Sequence, residues 1–139
     1  NKIIIGSDHA GFPLKEYLIQ KLNPKYNIID VGCYNKNRVD YPEIAQNLCE
    51  ILKQQPDEMG ILICGTGIGI SIAANRYNHI RCALCCDIEM AEMSRKHNNA
   101  NCISLGGRKT SDEEAFKIVE KFIETDFEGG RHQTRIDML

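Results

Sequence analysis

The run Cys64-Gly65-Thr66-Gly67-Ile68-Gly69 is the sharpest chemical feature of the chain. Three alternating glycines let the backbone approach an anion closely. The residues that follow read as a helix start, which offers unpaired N–H groups and a positive dipole end. A thiol at the entrance to such a field is favoured as its thiolate, so Cys64 is a candidate base beside a candidate anion hole. Taken alone, the same hexapeptide also fits a tight strand-to-helix turn over a buried cysteine. Asp8-His9 is an acid–base pair at a second such turn, or simply an Asp-capped helix start with a solvent His. Arg131 and Arg135, flanking His132, fall on one face if that stretch is helical. Guanidinium forks suit phosphate oxygens, although a basic tail can also be merely solvated. His97-Asn98 closes a helical stretch, where a His serves equally as a dipole-favoured cap. Each reading is weak singly. Their joint occurrence with the Gly-rich loop points to a ligand site.

Three familiar phosphate motifs fail on these residues. A P-loop needs Gly-Lys-Ser/Thr, and this loop has no Lys. A dinucleotide fingerprint needs a third Gly where Ile70 stands. Asp87 does fall about twenty residues further on, so the nucleotide reading is weakened rather than removed. A cysteine phosphatase would need an Arg closing the loop, and Ile68, Ile70 and Ser71 supply none.

The elements that must position these groups follow from periodicity. Near-continuous apolar runs at residues 2–6, 27–31, 59–64, 81–86 and 102–105 read as strands. Stripes over 12–22, 41–53, about 70–77, 87–97 and from 111 onward read as amphipathic helices. Asp87 is a candidate N-cap, and Ser111 with Glu114 a capping box. Strands apolar on both faces, alternating with helices, predict one three-layer, Rossmann-like α/β domain, a five-stranded parallel sheet with helices on both faces. The 139 residues suit a single domain. The stretch 128–139 has no strand to pair with and is expected to reach outward.

Open sheets of this kind bind ligands beyond the carboxyl ends of their strands. Residues 6–11, 64–69 and 106–108 share that rim. His97 and Asn98 precede the fifth strand and so fall on the opposite rim, which only a second subunit could bring to the same ligand.

Composition narrows the classes. A net charge of −2 argues against a nucleic-acid partner. No apolar run approaches a membrane span, no signal peptide is evident and a cytoplasmic setting is expected. Asn1 leads straight into a strand, which suggests a missing initiator Met. The seven cysteines are odd in number and their overall spacing is not metal-like, so structural zinc is not expected.

Long stretches of the chain resemble the type B ribose-5-phosphate isomerase family, which includes galactose-6-phosphate isomerase subunits. They are residues 6–11 (GSDHAG), Asp40-Tyr41-Pro42, residues 60–75 (GILICGTGIGISIAAN), residues 95–98 (RKHN), Gly106-Gly107-Arg108 and residues 128–135 (EGGRHQTR). One branch of the family carries a Glu base four residues after the Cys position. Ile68 stands there, so the chain resembles the Cys branch.

The resemblance implies an aldose–ketose isomerase acting on ribose 5-phosphate and ribulose 5-phosphate, without metal or other cofactor. Cys64 would be the base, and Gly65, Thr66, Gly67, Ile68 and Gly69 would hold the oxyanion. Thr66 would hydrogen-bond a reacting hydroxyl, while His97 of a second subunit would open the sugar ring and Asp8 would position the ring oxygens. His9, Arg131 and Arg135, expected on one rim, would take the phosphate, with Arg108 joining from the other subunit. Tyr41 and Asn98 would contact the sugar. The implied assembly is a homodimer with shared sites; pairing into tetramers is left open. A six-carbon sugar phosphate (galactose or allose 6-phosphate) is the nearer alternative, and a non-catalytic nucleotide or sugar-phosphate binding module the more distant one.

Overall fold

The computed structural model describes residues 2–139. The strands are β1 (Lys2–Ser7), β2 (Asn27–Asp30), β3 (Met59–Cys64), β4 (Cys82–Leu84) and β5 (Cys102–Gly106). The helices are α1 (Phe12–Leu22), α2 (Tyr41–Gln54), α3 (Ile68–Asn75), α4 (Ile88–Lys96), α5 (Asp112–Glu124) and α6 (Arg131–Ile136). All strands pair in parallel, in the order β2-β1-β3-β5-β4.

That order dictates the layers. Crossovers in parallel sheets are right-handed, so steps in opposite directions along the sheet place their helices on opposite faces. β1→β2 and β4→β5 step one way, and β2→β3 and β3→β4 step the other. α1 and α4 must therefore share one face, and α2 and α3 the other. The core divides accordingly. Ile3, Ile5, Ile61, Ile63, Ile103 and Leu105 pack with Leu14, Leu18, Ala91, Ile118 and Phe122 of α1, α4 and α5. The alternate strand positions Ile4, Leu62, Cys64, Cys82 and Cys102 pack with Ile44, Leu48, Ile70 and Ala74 of α2 and α3. The two-residue period of the strands sorts side chains between the layers. Each fully buried aliphatic or aromatic side chain contributes roughly 1.5–3 kcal/mol.

Helix starts are fixed locally. The Asp87 carboxylate accepts from Met90 N–H at 2.8 Å, and Ser111 Oγ accepts from Glu114 N–H at 3.3 Å. Pro13 and Pro42 occupy first-turn positions where no N–H is needed. β4 is shorter than its apolar run because, as an edge strand, it pairs with β5 alone. The tail does not reach outward as a free strand. Glu128 N–H bonds to Lys96 O at 3.1 Å, Gly130 turns the chain at φ 60°, ψ −131°, and α6 follows. That backbone region is open essentially to glycine alone.

Between β1 and β3, and again between β3 and β5, the helices that follow the two neighbouring strands depart to opposite faces. Both crevices open at the carboxyl end of β3, where Cys64 stands.

Candidate active site

Cys64 closes β3 and is 5% exposed. Its Sγ accepts the Gly67 backbone N–H at 3.1 Å, a bond that negative charge on sulfur strengthens. Gly67 makes the turn possible: its φ is 83°, and a Cβ there would meet Leu84 Cδ1 at 2.7 Å and Leu105 C at 2.9 Å. The Ile68 N–H is taken by Thr66 Oγ1 at 3.2 Å, which leaves the Thr66 hydroxyl proton free to be donated outward. The N–H groups of Gly65, Thr66 and Gly69 have no intramolecular partner among the described residues. A buried thiol thus stands among unpaired donors at a helix N-terminus, the arrangement that stabilises a developing oxyanion.

Neighbouring elements wall this cradle. The Asp8 carboxylate, 7% exposed, accepts from the N–H groups of Ala10 and Gly11, both at 3.0 Å, through one oxygen, Oδ1. Val39 N–H donates to His9 Nδ1 at 3.3 Å, so in the neutral ring Nε2 carries the proton and is the donor available to a ligand. The Tyr41 ring lies against the start of α3, where a Cβ on Gly69 would stand 2.8 Å from it.

Arg108 is a correction to the expected arrangement. Its N–H bonds to Gly65 O at 3.0 Å. Its Nη1 lies 3.3 Å from the place a Gly65 Cβ would take. Arg108 therefore belongs to the same subunit's Cys64 loop rather than joining from the other.

The second correction concerns the phosphate groups. α6 lies at the amino-end rim: His132 stacks on His97 with ring centroids 4.2 Å apart and planes 13° from parallel. Ile136 and Leu139 line a cleft of about 700 Å³ together with Asn75, Arg81, Asn98 and Ala100. Arg131 and Arg135 thus accompany His97 and Asn98, on the rim opposite His9, and one chain cannot bring all of them to one phosphate. This cleft does not include Cys64, and the chemistry, rather than the volume, places the candidate site at the other rim. Residues unassigned from sequence gather here too. Glu128 Oε1 lies 4.0 Å from His97 Nε2 and 3.6 Å from His132 Nε2. Burial first, then the neighbouring His97 and Arg131, holds His132 below the usual imidazole range.

Burial pushes the Cys49 and Cys85 thiols up to about 12, and raises Cys102 well above its ordinary value. No helix among the described residues is long and apolar enough to cross a membrane.

The family model described as Ribose/Galactose Isomerase matches residues 3–139. The chain belongs to this family. It is 40% identical over 139 residues to ribose-5-phosphate isomerase B of Escherichia coli, covering 99% of this chain and 93% of that protein. Among solved structures, ribose 5-phosphate isomerase of Thermotoga maritima superposes with a TM-score of 0.96 at 48% identity, covering 99% of this chain and 95% of that one. Ribose-5-phosphate isomerase B of Mycoplasma genitalium, solved with bound ribulose-5-phosphate, gives 0.94 at 41% identity over 99% and 92% of the two chains. The chain is thus an isomerase by family, and its fold is that of these relatives.

Proposed function

We propose that the protein interconverts ribose 5-phosphate and ribulose 5-phosphate through an enediolate, at a site completed by a second copy of the chain. The observation that carries this reading is Cys64 Sγ bonded to Gly67 N–H beside the unpaired N–H groups of Gly65, Thr66 and Gly69. Aldose–ketose exchange moves a proton between adjacent carbons. It needs one base and a hole for the enediolate oxygen. Cys64 as thiolate takes the C2 proton of the open-chain aldose and returns it to C1. The donors at Gly65–Gly69 hold the oxygen that becomes negative, and the Thr66 hydroxyl donates to the reacting oxygens. The Arg108 guanidinium adds positive charge at the same loop.

The sugar arrives mainly as a closed ring. Opening it requires removal of the anomeric hydroxyl proton and protonation of the ring oxygen. His97 of a second subunit serves this step, with Asp8 orienting the ring hydroxyls and Asn98 and Tyr41 contacting the sugar. His9 from one chain and Arg131 and Arg135 from the other bind the phosphate. A homodimer then holds two equivalent sites.

The test is to incubate the purified, metal-free chain with ribose 5-phosphate and follow ketose formation. Turnover by the chain alone supports the reading. Preference for allose or galactose 6-phosphate would move the substrate to a six-carbon sugar. Binding of sugar phosphates without turnover, unaffected by replacing Cys64, would make the protein a binding module.

A further inference from the structure

His97, Glu128 and His132 bring two imidazole nitrogens and one carboxylate oxygen within 4.8 Å of one another. The sequence does not announce the group, because α5 separates His97 from the other two. The Glu128 N–H bond to Lys96 O and the stacking of the two rings hold the three together. The His132 side chain is 7% exposed, and its Nε2 has no hydrogen-bond partner. A buried polar atom left unpaired is costly, and it points to an occupant from outside the chain.

We propose that His97, Glu128 and His132 form a site for zinc or a similar borderline divalent cation, and that its occupancy inhibits the isomerase by holding His97. Two imidazoles and one carboxylate with a fourth position open to water suit zinc. Bonds of about 2.0–2.2 Å in a tetrahedron place donors roughly 3.4 Å apart. His132 Nε2 and Glu128 Oε1 stand at 3.6 Å already, and His97 Nε2 is 4.0 Å from the same oxygen. The stacked rings must open for their lone pairs to converge. His97, 40% exposed on its side chain at the end of α4, is the ring free to turn, while His132 is fixed by burial. Arg131 and Arg135 nearby oppose a cation, so micromolar affinity is expected rather than that of a structural zinc. Binding is independent of the proposed function. The inhibitory consequence rests on the role given there to His97.

The experiment titrates the reduced, metal-free full chain with zinc by calorimetry and with Co²⁺ by absorption. We expect one ion per chain and a cobalt spectrum lacking sulfur-to-metal charge transfer. Glu128→Gln, at an exposed residue, should weaken binding about tenfold or more. Isomerisation of ribose 5-phosphate should fall with the same zinc midpoint as binding, and that midpoint should move with Glu128→Gln. A thiolate charge-transfer band, or affinity indifferent to both Glu128→Gln and His132→Asn, would overturn the site. His97→Ala separates the two readings. If it abolishes turnover while bound zinc leaves the wild type active, the inhibitory inference fails. If His97→Ala is fully active, the assigned role of His97 fails and zinc binding stands on its own.

Discussion

On the proposed function, the two rims of the sheet supply complementary halves of one reaction. The carboxyl-end rim has the buried thiol, the unpaired N–H groups of the Gly65–Gly69 loop and, beside them, the Arg108 guanidinium. The amino-end rim has the stacked His97 and His132 rings together with Arg131 and Arg135 of α6. A parallel strand of five or six residues keeps the rims about 17–20 Å apart, beyond the reach of any side chain. On the proposed function, each chain carries the parts of a complete site and needs a second copy to assemble them.

The largest expected effect tests the first rim. Cys64→Ala should lower turnover about 10²–10⁴-fold or more while leaving binding of a sugar phosphate nearly intact. Steady-state kinetics beside calorimetry checks the split, and near-normal turnover would remove Cys64 as base. Gly67→Ala attacks the same rim through the backbone. At φ 83°, with Leu84 and Leu105 in the way of a Cβ, it should destabilise the fold by about 1–3 kcal/mol and distort the cradle. Denaturant midpoints measure the first, and binding of phosphate ligands the second.

The arginines of the opposite rim should respond in affinity more than in rate. Arg135→Ala should raise KM for the phosphorylated sugar about 10–100-fold. Arg131→Lys should retain part of the affinity that Arg131→Ala loses, since a point charge lacks the planar fork. Equal turnover of unphosphorylated ribose would show that the arginines bind something other than phosphate.

The smallest effect concerns the background thiols. With Cys49 and Cys85 at about 12 and buried, only about one molecule in ten thousand is thiolate there at pH 8. Peptide mapping after mild alkylation should find both unmodified, with the exposed Cys86 labelled. Raising the pH toward 12 should increase the reactivity of Cys49 and Cys85. Early labelling of either would contradict the account of their burial.

Much of this was legible in the sequence because local physics determined it. The five strands and five helices appear close to their expected ranges, since buried parallel strands are apolar throughout and α2 and α5 carry strong amphipathic stripes. The placement of His97 opposite Cys64 followed from chain direction in a parallel sheet. What the sequence did not disclose depends on long-range return of the chain. Arg108 reaches Gly65 because Gly107 N–H bonds back to Cys64 O at 2.8 Å. α6 is too short for a periodic signal, so its docking beside His97 was hidden, and with it the separation of Arg131 and Arg135 from His9. The Glu128–His132 pair gains meaning only from α4, a contact that no local pattern encodes.

Complementation tests the central claim most directly. Cys64→Ala and His97→Ala chains, each nearly inactive alone, are mixed, dissociated and allowed to reassociate. Each mixed dimer should hold one site with both residues intact and one with both missing. With random pairing, half of the dimers are mixed, so roughly a quarter of wild-type activity should return. No recovery despite demonstrated subunit exchange would place Cys64 and His97 in the same chain's site or remove His97 from the mechanism, and contradict a site shared between two chains.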